Sequence, residues 1–237
     1  MMRKKKEYRL RQSKWIEVEE YIDGRYGAKG QKRQKKKKAT PEQVRKQNQL
    51  NKAKRARRML MHNFEEDDYY FTLTFKKELR PDMEGAKKIW GKLQRQIRKE
   101  YKKQNRSFKW MINIERGSRG AIHFHLIMNR LEGGDKLIRR LWTFGGVYIR
   151  LLYEDGGYKA LADYITKESE EGEESSYSHS RNLPVPEPKI KPIKGEWKDI
   201  KPYKGYYIDK ESVVEGINPV TGYQYRHYTM VRINRRI

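Results

Sequence analysis

Between Tyr69 and Lys167 the apolar residues switch between two spacings, and this restricts the fold more than any other feature of the chain. Phe71, Leu73 and Phe75 are separated by Thr72 and Thr74, the every-second-residue pattern of a half-buried strand. After Arg80-Pro81-Asp82, a helical stripe runs through Ala86, Ile89, Trp90, Leu93, Ile97 and Tyr101. Phe108–Glu115 and Ala121–Asn129 return to the strand spacing, with Gly117-Ser118-Arg119-Gly120 as the hairpin turn between them. Lys136–Trp142 predicts a short helix and Val147–Leu152 a strand, and Asp155-Gly156-Gly157 opens a helix running to about Lys167. The order β-α-β-β-α-β-α predicts an α+β fold. It suits a ferredoxin-like (RRM-like) antiparallel sheet with helices on one face and a site on the open one.

The flanking segments differ in character. The 237 residues include 56 Lys and Arg against 31 Asp and Glu, a net charge of +25. A charge of that size points to a polyanionic partner, most often nucleic acid. Much of it lies in the first 60 residues, where 22 basic residues face 6 acidic ones. There Trp15–Ile22 reads as a short strand, followed by a Gly-rich turn over Gly24–Gly30 and a solvated run at Lys35–Lys38. Thr40-Pro41-Glu42-Gln43 has the hydroxyl, proline and amide of a helix start. The helix that follows, to about Leu60, is basic nearly all round, and Arg55, Arg57 and Arg58 are assigned to DNA backbone contact. Past Lys167, Glu168–Glu174 is acidic, Pro184–Pro192 is Pro-rich, and Tyr206–Val214 with Tyr223–Ile233 reads as a terminal hairpin. The expected organisation is a basic extension over 1–65, a catalytic domain over 66–185, and a linker with a hairpin tail over 186–237. The absence of cysteine excludes disulfides and thiol catalysis, and no apolar run long enough for a membrane span is expected.

Chemistry concentrates in two places. In Ile122-His123-Phe124-His125-Leu126-Ile127-Met128, the alternation sends Ile122, Phe124, Leu126 and Met128 into the core and leaves both imidazoles on the open face. On the preceding strand Ile112 and Ile114 take the core face, so Asn113 and Glu115 share the face of the histidines. A five-residue loop would pair Glu115 with Ala121, diagonally beside His123. Two neutral imidazoles and a carboxylate with open positions make a site for a catalytic divalent cation. The second place is the helix after Gly157. Tyr158, Leu161, Ala162 and Ile165 form its apolar stripe, while Tyr164 falls off the stripe with Lys167 one turn on. A phenolic nucleophile attacking a phosphodiester gains from such a neighbouring cation. Trp90, Trp110 and Trp142 read as core. Arg181 and Asn182 are placed at DNA, and His62, His179 and His227 are isolated and given no metal role. The tail tyrosines read as a small hairpin core with surface rings.

These residues resemble a known family. His123-Phe124-His125 is similar to the His-hydrophobe-His motif of HUH endonucleases, and Tyr164-Ile165-Thr166-Lys167 to their Tyr-x-x-Lys motif. Phe71-Thr72-Leu73-Thr74-Phe75 resembles the first motif of rolling-circle replication initiators, and Glu115 stands where many of them place the acidic ligand. The resemblance covers about residues 69–185 and is nearest to Rep-type proteins of bacterial plasmids and filamentous-phage-like elements. It implies Mg²⁺ or Mn²⁺ on Glu115, His123 and His125, with Glu168 near the metal shell, and attack by Tyr164 on single-stranded origin DNA aided by Lys167. It also implies a 5′-phosphotyrosine intermediate, a free 3′-OH to prime replication, and a bacterial cytoplasm as the setting. Position 160 is Ala where two-tyrosine members carry their second nucleophile, so a single-tyrosine enzyme is expected. No Gly-x-x-x-x-Gly-Lys-Ser/Thr motif appears, so helicase and polymerase would come from the host.

The alternatives are a relaxase or HUH transposase using the same chemistry, and a non-catalytic nucleic-acid-binding module on the same sheet. Relaxases usually add a third His, which this chain does not place. RNA-recognition modules display aromatics on the open face, where this chain has His123, His125 and Glu115.

Overall fold

A computed structural model describes residues 3–22, 39–117, 120–153, 155–167, 174–195, 197–218 and 222–233. The Gly24–Gly30 turn, the Lys35–Lys38 run and Glu168 lie outside them. In chain order the elements are β1 (Arg3–Leu10), β2 (Trp15–Ile22), α1 (Pro41–Asn63), β3 (Tyr69–Thr74), α2 (Met83–Lys103), β4 (Trp110–Arg116), β5 (Ile122–Met128), α3 (Gly134–Leu141), β6 (Val147–Leu151), α4 (Lys159–Ile165), β7 (Glu174–His179), β8 (Lys189–Ile193), β9 (Tyr206–Ile217) and β10 (Gln224–Arg232). They build an α+β structure with two antiparallel five-stranded sheets and four helices. None of the helices is long and apolar enough to cross a membrane among the described residues.

The chain divides into two compact units, one of residues 1–48 and 185–237 and the other of 49–184. This differs from the organisation read from sequence, because both ends of the chain enter one sheet of order β8-β1-β2-β10-β9. The terminal hairpin is not a free tail: β10 pairs with β2 from Tyr225↔Tyr21 to Val231↔Trp15. One face of that pairing buries Ile16, Val18, Tyr228 and Met230. At its margin the buried Arg226 guanidinium meets Glu20 at 2.9 Å. β1 and β8 escape a sequence reading because their lysines and Pro192 mask the period that pairing imposes.

In the second unit the strand order is β6-β3-β5-β4-β7, all antiparallel. Phe71, Leu73, Ile112, Ile114, Phe124 and Leu126 point to one face and pack under Trp90, Leu93, Ile97 and Tyr101 of α2 and Leu137 and Ile138 of α3. The predicted helical stripe is thus the buried stripe of α2, started by the Asp82 carboxylate accepting from Gly85 N at 2.7 Å. Trp90 and Trp110 meet edge-on with ring centroids 4.9 Å apart, and Trp142 donates Nε1–H to Thr74 O at 3.0 Å.

The other face is not open along its whole width. Met111, Asn113 and Ile127 lie on it by register, yet all three are buried. On this side α4 reaches His125 through Tyr164, and α1 is tied to the α4 region. Arg57 donates to Gly157 O at 2.9 Å and to Gly156 O at 3.2 Å, and Gln49 donates to Thr166 O at 2.8 Å. The predicted cap of α1 is present as a reciprocal pair, Gln43 N to Thr40 Oγ1 and Thr40 N to Gln43 Oε1. The all-round basic reading of α1 needs correction. Ala53, Ala56, Arg57 and Leu60 form a buried i, i+3, i+4, i+7 stripe, in which small alanines and one arginine stand where large apolar residues would announce an inner face.

The loop before β6 closes on β3, with Lys76 N donating to Phe144 O at 2.8 Å and Thr74 N to Gly146 O at 3.0 Å. At Gly145 an added Cβ would run into the Thr74 carbonyl and stand 2.9 Å from Lys76 N, both main chain. Gly145→Ala should therefore cost at least the ~1–3 kcal/mol typical of overpacking, read as a lowered midpoint in urea denaturation.

Candidate active site

The central residue of the site is His125. β5 is flanked by β3 and β4, so His125 has Thr72 opposite it on one side and Asn113 on the other. His123, two residues back, has Thr74 and Glu115 as its partners. Glu115 therefore lies directly across from His123, not diagonally as read from sequence. The last pair of the hairpin is Arg116↔Ile122, and Gly117 N donates to Ala121 O at 3.0 Å, so the turn is centred one residue further along than expected. Gly120, at φ +72°, sits in that turn.

Both ring nitrogens of His125 are engaged. Nε2 is hydrogen-bonded to Tyr164 Oη at 3.0 Å and lies 3.4 Å from Glu115 Oε2, and Nδ1 is hydrogen-bonded to Tyr70 Oη at 3.0 Å. The His123 and His125 ring centroids are 6.4 Å apart. Burial, reinforced by His123, pulls His125 down to about 4, so its imidazole is neutral at neutral pH. Burial also pushes the Tyr164 phenol up, and the Glu115 charge adds to this. The hydrogen bond to Tyr70 and the Lys167 charge oppose the rise. Tyr164 is 43% exposed, open to an incoming chain.

The donors fit a divalent cation. A neutral imidazole faces a carboxylate across 3.4 Å, and His123 stands opposite that carboxylate. The Asn113 side-chain oxygen adds a further oxygen on the same face: Asn113 is 1% exposed and this atom makes no hydrogen bond among the described residues. The donor atoms of Glu115, His123 and His125 do not all come within 4.8 Å of one another, so joint ligation requires His123 to turn inward. Among the described residues the group that meets this limit is Glu17, Glu19 and His227 in the other sheet, where His227 Nε2 lies 3.0 Å from Glu17 Oε1. His227 is thus not isolated, as its place in the sequence had implied.

The structure sorts the remaining candidates. Tyr158 is buried at the start of α4 with φ 59°, in keeping with a packing role. Lys167 is exposed just past α4, its amide bonded to Tyr164 O at 3.2 Å. Arg57 is buried on backbone carbonyls, so it holds the α4 region in place instead of facing DNA. Asn182 donates to Ser107 Oγ and Phe108 O, a strut at the end of the sheet. Arg55 and Arg181 remain exposed and Arg58 is half-buried. Sequence reasoning missed Tyr70, whose place beside Tyr69 looked like part of a hydrophobic run; only the strand period sets its hydroxyl on the histidine face. It also missed the exposed edge. On β6, Tyr148 and Arg150 are exposed and lie opposite Thr72 and Tyr70, on the same face as His125.

The depressed His125 value carries a sign. The unfolded imidazole takes up a proton near pH 6.5 and the folded one only near 4, so acid stabilises the unfolded chain first. Stability should be fully present above about pH 6.5 and lost progressively down to about pH 4. The difference between the wild-type and His125→Gln melting curves, taken across this range, should show that slope.

No curated protein and no solved structure matches the chain. Residues 68–169, which hold Glu115, both histidines, Tyr164 and Lys167, match the family model of the ORF2 class of replication-associated proteins, which supports a Rep-type replication initiator.

Proposed function

We propose that the protein is a metal-dependent, single-tyrosine HUH endonuclease that nicks and rejoins single-stranded origin DNA to start rolling-circle replication. The observation that carries this is the convergence of Tyr164 Oη and Glu115 Oε2 on one nitrogen of a neutral, buried histidine. The strand order β6-β3-β5-β4, with α2 and α3 on one face, is the order a ferredoxin-like β-α-β-β-α-β unit would have, and supports the same reading.

Glu115, His123 and His125 would hold Mg²⁺ or Mn²⁺, which supplies Lewis-acid polarisation of the scissile phosphate when bound. Tyr164 Oη attacks the phosphorus. The Oη–P bond forms, the P–O3′ bond breaks, and in net terms the phenolic proton ends on the departing 3′ oxygen. The Lys167 charge favours the phenolate and so offsets part of the burial that keeps the hydroxyl protonated. The 5′-phosphotyrosine preserves the bond energy, and reversal by a 3′-OH rejoins the strand. Because the opposite side of the sheet face is covered, DNA enters over the β3–β6 edge. Tyr148, 65% exposed, offers a ring for base stacking there and Arg150 a cation for phosphate. Arg55 and Arg181 extend the basic surface, while unwinding and synthesis fall to host helicase and polymerase in the bacterial cytoplasm.

The deciding experiment incubates the protein with Mn²⁺ and labelled single strands that include the element's own origin, followed by a denaturing gel. A covalent protein–DNA band that requires the metal and disappears in Tyr164→Phe is expected. A band surviving in that variant would move the nucleophile elsewhere, and binding without any band would favour the non-catalytic module. In the Tyr164→Phe background, Tyr148→Ala should weaken single-strand binding by the ~1–3 kcal/mol of one stacked base, measured by fluorescence anisotropy.

A further inference from the structure

We propose that Tyr70 is the positioning residue of this site: its hydroxyl holds the Nδ1 side of His125 and thereby keeps Nε2 aimed at Glu115 and Tyr164. The proposal rests on the reading that Glu115, His123 and His125 bind a divalent cation.

Tyr70 and His125 lie on adjacent strands, Tyr70 opposite Ile127 and His125 opposite Thr72, so they are diagonal neighbours on one face. Their rings stack with centroids 6.2 Å apart and planes within 13°, which fixes the imidazole plane. The Tyr70 Oη to Nδ1 bond is 3.0 Å, whereas Thr72 Oγ1 stands at 3.5 Å from the same nitrogen, the limit of a hydrogen bond. Tyr69, the preceding residue, faces the core and bonds Leu131 O, so the two tyrosines divide between packing and site.

A hydroxyl suits this position for a chemical reason. An imidazole that offers Nε2 to a cation must carry its proton on Nδ1, and that N–H then needs an acceptor. When Nε2 carries the proton instead, Nδ1 needs a donor. A phenol can serve as either. Burial pushes the Tyr70 phenol well above its ordinary value, and the Tyr164 charge adds to this, so the hydroxyl stays protonated through the working pH range. A carboxylate in the same place would only accept, and a phenylalanine would do neither.

Tyr70→Phe keeps the ring and removes the hydroxyl. Mn²⁺ titration of the full-length protein, followed by electron paramagnetic resonance, should show affinity falling about 10-fold or more, the effect of losing an outer-shell partner, at an unchanged melting temperature. In a His125→Ala background the same substitution should add nothing. Nitrogen NMR of His125 should show one tautomer in the wild type and a mixture in Tyr70→Phe. Mn²⁺ affinity within twofold of wild type in Tyr70→Phe would overturn the proposal. If the wild type binds no Mn²⁺, or His125→Ala binds it equally well, the metal reading fails. In that event unchanged His125 nitrogen shifts in Tyr70→Phe overturn the positioning role separately, and a change in them upholds it.

Discussion

His125 is where the physical demands on the second unit meet. Its strand must bury Phe124 and Leu126 against α2 and α3, and the strand period then forces the imidazole to the opposite face. That face is covered enough to make a charged imidazole costly and open enough to leave Tyr164 reachable, which is why the ring is neutral and both nitrogens have partners. If β5 slipped by one residue, both histidines would turn into the apolar core and Glu115 would face an apolar side chain. The pairing of β5 between β3 and β4 is therefore both the fold's main register and the basis of the site.

The covering of that face depends on α1. Arg57 satisfies two carbonyls in the turn around Gly156 and Gly157, where left-handed backbone leaves no helical partner for them. Gln49 caps the other end of α4 through Thr166 O. Tyr164 thus sits on a two-turn helix held at both ends from a neighbouring element. A helix that short has little stability alone, so the position of the hydroxyl is set by α1 as much as by the residues of α4. In such an arrangement an arginine has a structural role in a chain whose charge suggests that every arginine faces DNA.

The first unit shows the same economy in a different form. Two stretches from opposite ends of the chain, each too polar to bury a face alone, are joined through β2 and β10 around Ile16, Val18, Tyr228 and Met230. The buried Glu20–Arg226 pair ties those two strands once more. An exposed two-stranded hairpin would be marginal in water, and pairing into five strands removes that weakness.

By itself the sequence determined whatever depends on local period and capping: the α2 stripe, the Thr40 and Asp82 helix starts, strands β2 to β6 within a residue or two, and the division of β5 into core side chains and histidines. These are visible because burial on one face imposes a spacing that neighbours in the chain record directly. Only the tertiary structure decided the rest. The partner of Glu115 depended on a turn centred one residue beyond where its glycines suggested, and the place of Tyr70 on Nδ1 depended on cross-strand register. The inner face of α1 is built of alanines and an arginine, which carry almost no hydrophobic signal. The union of the two chain ends in one sheet is a pairing between residues some two hundred positions apart, and no local pattern records a contact whose cost and gain are settled only when both segments are brought together.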